Sequence, residues 1–196
     1  MKKAASMHIY LVRHPPPIDA DGLCYGRLEV AVAEQDIAAA AESIAGQIPA
    51  QTLASARIYC SPSSRCMGLA RHIASPREPT AAEDLIEMSF GDWQGTRWDA
   101  IARPEIDAWA KDLWGYRPGG GESAAMVATR WERWLHHVRR SDLGHVVAVT
   151  HAGVIRVALA RSGRGNGSSA LDAHIPFGSV HRLDLGTTLG HGMQST

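Results

Sequence analysis

Lysine is almost missing from this chain: Lys2, Lys3 and Lys111 supply it, and arginine carries nearly all the positive charge. The 20 basic and 20 acidic residues balance to a formal net charge of zero. That balance leaves no basic field for nucleic acid and no acidic tail. Cysteine is also scarce, and the three present, Cys24, Cys60 and Cys66, show no CxxC spacing. An odd, irregular set makes a poor disulfide framework, so they read as reduced thiols of a cytoplasmic protein. No apolar run approaches the roughly 20 residues a membrane helix needs. The short apolar stretch after Lys2 and Lys3 holds His8 and runs into Arg13, which reads as a strand rather than a signal peptide. The histidines are scattered without HxH or HExxH spacing, and the adjacent His136 and His137 cannot face one way on a helix, so neither metal nor cofactor is expected. Internal repeats are absent. The 196 residues fit one domain, placed at 7–186 with tails at 1–6 and 187–196.

What is present centres on Ile9-Tyr10-Leu11-Val12, followed by Arg13-His14 and then Pro15 to Pro17. Four β-favouring apolar residues predict a strand buried on both faces, and a proline block cannot continue a ladder. Arg13 and His14 therefore belong at a strand's C-terminal end, the edge where open α/β sheets bind ligands. After the prolines, 18–32 is a turn-rich loop whose Gly26 would let backbone approach a ligand. Ile37, Ala41, Ile44 and Ile48 predict a helix over 34–48, ended by Pro49.

A second strand is expected at Arg57 to Cys60, then a helix capped by Ser61 with Pro62 at its first position, putting Arg65 in its first turn. Residues 87–95 read as a structured loop. From Trp98 to Trp114 the pattern is helical, with Pro104 breaking the first turns, and is expected to lie over the site. The tryptophans of 93–114 read as exposed; spacing leaves open whether they cover substrate or meet another subunit, and oligomeric state is open with it. Gly119 to Gly121 precede a helix over 122–140, whose Val127, Trp131, Trp134 and Val138 read as core. They lack the Gly-Lys-Ser/Thr of a nucleotide loop and suit a hinge or close approach. Val146 to Thr150 predicts a third buried strand ending in His151, with a helix from Val154. A polar loop at 163–169 and an edge strand at 179–185 complete the chain.

Two strand-end histidines, two arginines and a loop carboxylate suit phosphoryl transfer. Arginine's fork matches phosphate oxygens, a neutral imidazole attacks phosphorus, and a carboxylic acid protonates the leaving oxygen. Four segments, LVRH at 11–14, SPSSR at 61–65, EMSFGDWQG at 87–95 and VTHAG at 149–153, resemble in order and spacing the histidine phosphatase superfamily, also called phosphoglycerate-mutase-like. The resemblance covers nearly all of 8–185. It implies a single three-layer α/β/α domain with a mostly parallel central sheet. It also implies His14 as the nucleophile that becomes phosphohistidine, Arg13, Arg65 and His151 as the rest of the phosphate pocket, and Glu87 as proton donor and later base. Tyr25 and Gly26, with Ser61, Glu122 and Ser123, are implied as substrate-binding candidates.

The chain departs from the family at Pro15 to Pro17. Members usually carry Gly there, then Thr or Ser and Asn, whereas prolines offer no backbone donors. Gln94 stands where Glu is common. GLCYGRLE at 22–29 is similar to the α-ribazole phosphatase-like subgroup, with Glu29 in place of Asp. That likeness implies removal of the 5'-phosphate from α-ribazole phosphate or cobalamin phosphate in coenzyme B12 assembly, with a small phosphorylated metabolite as partner and neither nucleic acid nor membrane. Family mutases are usually longer and carry extra basic segments, so hydrolysis is favoured. The competing expectations are a general phosphatase of sugar phosphates or nucleotides, and a phosphoester-binding module without turnover.

Overall fold

A computed structural model describes residues 7–141, 143–163 and 170–185. The 1–6 and 187–196 tails lie outside the described residues, as does the expected polar loop apart from Gly163. Five strands form one sheet in the order β3-β2-β4-β1-β5: β1 is Met7–Arg13, β2 Arg57–Cys60, β3 Thr80–Ala81, β4 His145–Thr150 and β5 Val180–Leu185. The pairs β1·β4, β4·β2 and β2·β3 are parallel, and only β5 runs antiparallel, on the outer side of β1.

The unbroken apolar runs follow from burial on both faces. Ile9 and Leu11 of β1, with Val146 and Ala148 of β4, pack into one core, while Tyr10, Val12, Val147 and Val149 pack into a second. The first core is closed by α5 (Ala124–Arg139) and α6 (Ala152–Arg161) through Val127, Trp131, Trp134, Val138 and Ile155. The second is closed by α1 (Glu34–Gln47) and α3 (Ser64–Ala74) through Ile37, Ile44, Cys66 and Leu69. Strand residues that alternate between two cores need helices on each side, which gives three layers.

Several local expectations shift. Pro49 opens a second short helix, α2 (Ala50–Ser55), and β3 is a further strand that two residues could not announce. Ser63, not Ser61, is the N-cap residue of α3; Ser61 is still extended, its N–H donating to Val149 O at 2.9 Å. Pro104 starts a helix rather than breaking one, because α4 (Arg103–Lys111) begins beside it, where a missing N–H costs nothing. Trp93 is buried against Cys24 and Ile101 in a third, aromatic cluster with Phe90, Trp109 and Tyr116, while Trp98 and Trp114 are exposed. The glycine run is a close-approach loop. Gly119 has φ 55°, and a Cβ on it would sit 2.3 Å from the Phe90 carbonyl oxygen, so only glycine fits.

Leu11 is fully buried in the central strand. Leu11→Ala is expected to cost about 2–5 kcal/mol in urea unfolding. A loss well under 1 kcal/mol would contradict the two-sided burial of β1.

Candidate active site

The parallel register sets Arg13 opposite Thr150. The ladder runs one step further, with the His14 N–H donating to Thr150 O at 3.1 Å. His14 and His151 thus leave adjacent strands side by side, their rings 5.1 Å apart edge to face and both essentially excluded from solvent. The His14 Nδ1 lies 2.7 Å from the carbonyl oxygen of Pro15. A carbonyl only accepts, so Nδ1 carries the proton and Nε2 keeps its lone pair. The proline block therefore withholds amide donors but supplies the acceptor that fixes the tautomer.

Burial pushes His14 down to about 3, and Arg65 and Arg13 push the same way against the Pro15 hydrogen bond. His151 is lowered by burial and then by His14 and Arg65. Both imidazoles are neutral near pH 7. His151 Nε2 sits 2.8 Å from Ser61 Oγ, so Ser61 orients the second histidine.

Two arginines frame the pair. Arg65 is buried at the start of α3 and donates to Leu28 O at 2.8 Å and to Gly26 O at 2.6 Å. Arg13 donates to Ile175 O, and its guanidinium lies 3.6 Å from the Phe177 ring centre. The Nε atoms of both arginines are buried without a hydrogen-bond partner among the described residues. Burial holds Arg13 below its ordinary value, with Tyr25 opposing. Tyr25 itself, raised by burial, faces His14 at 6.4 Å between ring centres and Arg65 at 5.3 Å.

Glu87 is held by backbone amides, with Oε1 accepting from Met88 N at 2.8 Å and Oε2 from Gly153 N at 3.4 Å. A Cβ on Gly153 would stand 2.4 Å from Glu87 Oε1, so the small residue after His151 makes room for the carboxylate.

The structure thus gathers Arg13, His14, Tyr25, Ser61, Arg65, His151 and Glu87 at the C-terminal ends of β1, β2 and β4. Three other candidates serve the scaffold. Gly26 makes its close approach to Gln94 and Phe90 rather than to open space, where Gln94 Oε1 also accepts from Arg27 N at 2.9 Å. Ser123 caps α5, accepting from Met126 N at 3.3 Å. Glu122 joins Arg130 at 3.2 Å, Arg27 at 2.8 Å and Ser89 N at 3.0 Å. Burial would raise its carboxyl, but Arg130, the Ser89 amide and Arg27 together bring it below the ordinary value. Through Arg27, whose Nε donates to Glu87 O at 2.9 Å, this partly buried clasp fixes the backbone under Glu87. Glu29 accepts from Ser64 N at 3.0 Å at the N-terminus of α3, where a carboxylate is favoured.

Sequence reasoning missed Phe177, 5.5 Å from His14 between ring centres, and the anchoring role of Arg27. An aromatic next to Gly178 was the only local signal for the first, and nothing local marked the second. Among the described residues no group of three or more His, Cys, Asp or Glu side chains is placed to hold a metal, and no helix is long and apolar enough to cross a membrane.

A family model described as the histidine phosphatase superfamily (branch 1) matches residues 9–189. Among solved structures, the chain is similar to a putative α-ribazole-5'-P phosphatase of Escherichia coli, at 22% identity over 93% of this chain and 92% of that one, with a TM-score of 0.75. A mycobacterial glucosyl-3-phosphoglycerate phosphatase in complex with VO3 matches at 24% identity, 90% and 92% coverage and a TM-score of 0.75. A phosphoglycerate mutase of Thermus thermophilus matches at 24% identity, the same coverages and a TM-score of 0.69. At these identities the likeness is one of fold. No match to the chain was found among curated proteins.

Two outcomes are expected from this geometry. Gly153→Ala displaces a flexible carboxylate rather than backbone, so any turnover that depends on Glu87 should fall by about 100-fold while thermal stability barely moves. Unchanged rates toward a poor leaving group would remove the role given to that contact. The second concerns pH. In the unfolded chain His14 titrates at its ordinary 6.5, in the folded chain at about 3. Between those values the unfolded state binds the extra proton, so stability falls as pH falls. Urea unfolding across that window should show the loss, and His14→Gln should reduce its slope; a variant as acid-sensitive as the wild type would exclude a buried neutral His14.

Proposed function

The chain belongs to the histidine phosphatase superfamily, and from that premise we propose that it is a phosphomonoester hydrolase working through a phosphohistidine intermediate. The observation that carries the reading is His14: a buried, neutral imidazole with Nδ1 committed to the Pro15 carbonyl and Nε2 left as the nucleophilic atom, between two arginines. Nε2 attacks the phosphorus, the N–P bond forms, and the P–O bond to the alcohol breaks as Glu87 gives its proton to the leaving oxygen. Glu87 then takes a proton from water, whose oxygen displaces Nε2, releasing inorganic phosphate and restoring the imidazole. Arg13 and Arg65 meet the phosphoryl oxygens, and an oxyanion satisfies their unpaired Nε donors. His151, neutral and held by Ser61, adds a donor without a charge that would oppose the positive charge His14 takes on when Nε2 bonds to phosphorus. No step calls for a metal.

For the substrate we infer a small phosphorylated metabolite of the cytoplasm, with α-ribazole phosphate or cobalamin phosphate the first to try. Support comes from the GLCYGRLE loop at 22–29, whose Gly26 and Leu28 carbonyls hold Arg65, and from likeness in fold to proteins described as α-ribazole phosphatases.

The test is hydrolysis of p-nitrophenyl phosphate in EDTA by wild type and His14→Ala. Wild-type turnover that vanishes in the variant is expected, with vanadate competing; turnover that survives His14→Ala would overturn the reading. Glu87→Gln should lower turnover of alkyl phosphates by about 100-fold or more and of the nitrophenyl ester far less, since a good leaving group needs little protonation. Equal losses for both would assign the proton to another group.

A further inference from the structure

Glu87 borders more than the phosphate pocket. Its side chain also lines a cleft of about 70 Å³ whose other walls include Phe90, Trp109, Leu113 and Leu171. Leu113 and Leu171 continue into a larger hollow of about 410 Å³ that Trp114 also lines, with Lys111 and Arg161. The two spaces share Leu113 and Leu171 as walls and so lie side by side along a path leading from Glu87 toward the C-terminal ends of α4 and α6. One cation faces the inner part, Arg156 of α6. Its Nε donates to Ala173 O at 2.8 Å, and among the described residues its two terminal nitrogens have no hydrogen-bond partner. Arg156 is also close enough to Arg13 to add, after burial, to the lowering of that guanidinium.

The chemistry fixes what enters this path. The oxygen that leaves phosphorus must reach Glu87 to be protonated, so the group attached to that oxygen extends from Glu87 into whatever space adjoins it. A polyol there would leave Trp109 and the two leucines in contact with water, whereas an apolar body would cover them. Apart from Glu87 the walls around Arg156 are apolar, so its unpaired terminal nitrogens call for an acceptor on the same group.

We propose that this path is the leaving-group subsite, and that it selects phosphomonoesters whose alcohol is bulky and apolar and carries a hydrogen-bond acceptor for Arg156. The proposal rests on the phosphatase reading above. It gives Trp109, Leu113 and Arg156 a part in specificity that the phosphate pocket does not need.

The test compares ethyl phosphate, 2-(2-naphthyl)ethyl phosphate and the ring-carboxylated form of the latter, three esters of alkyl alcohols with similar leaving ability. Wild type, Trp109→Ala, Leu113→Asp and Arg156→Gln are assayed for kcat and KM, and vanadate inhibition reports whether the phosphate pocket is intact in each. The wild type is expected to favour the naphthylethyl over the ethyl ester by about tenfold or more in kcat/KM. Trp109→Ala and Leu113→Asp should shrink that ratio toward one through KM, with vanadate still binding. Arg156→Gln should erase the added preference for the carboxylated ester. Equal kcat/KM for ethyl and naphthylethyl phosphate in the wild type, or a ratio that survives both apolar-wall variants, overturns the subsite while hydrolysis itself stands. A wild type that neither turns over any ester nor binds vanadate overturns the phosphatase reading, and the subsite falls with it.

Discussion

The parallel pairing of β1 with β4 is the constraint on which the site depends. It is continued beyond the strands by the His14 N–H on Thr150 O, so two histidines that lie far apart in the chain emerge as neighbours in a region closed to water. Burial then does the electrostatic work: the charged form of each imidazole is disfavoured, and two arginines nearby disfavour it further. Exposed strand ends would leave His14 titrating in the physiological range, protonated for part of the time and unable to attack. The sheet's two-sided core is therefore also what keeps the proposed nucleophile neutral.

Around this pair the structure spends charge on positioning. Arg65 holds the 22–29 loop by two of its carbonyls, and that loop in turn contributes Tyr25 beside His14 and Glu29 on the N-terminus of the helix that carries Arg65. The Arg130–Glu122–Arg27 clasp reaches Glu87 through its backbone carbonyl, so the proposed acid is fixed from behind by an ion-pair network buried at its Arg130 end and in front by the amides of Met88 and Gly153. Breaking a buried pair strands an uncompensated charge, which makes such a network a stiff support even where it adds little net stability. Glu122 and Ser123 thus matter to the site by holding its walls.

The proline block illustrates how a local rule and a tertiary contact divide the account. That Pro15 to Pro17 carry no N–H was readable from the chain and pointed to a depleted phosphate pocket. That the Pro15 carbonyl would receive the His14 Nδ1–H was not, because it depends on how the chain turns off the end of β1. Trp93 and Pro104 differ from expectation for similar reasons. An aromatic in a loop looks exposed until the loop's own cluster is known, and a proline stops or starts a helix according to which side the helix lies.

By itself the sequence determined the buried strands, since only an apolar run can be covered on both faces, and it placed Arg13, His14 and His151 at strand ends because prolines and a glycine stop the ladders there. The order of its motifs carried the family and the candidates for the reacting side chains. Tertiary structure alone decided which of those side chains meet, the tautomer of His14, the amide cradle of Glu87, and the use of Glu122 and Ser123 as supports. It also brought Phe177 against Arg13 and set Arg156 beside Trp109 and Leu113 along the path from Glu87. The physical reason is the range of the forces involved. Strand and helix signals lie within a few residues of one another, whereas burial, charge pairing and hydrogen-bond partners are set by segments as many as 176 positions apart, as between His8 and Asp184.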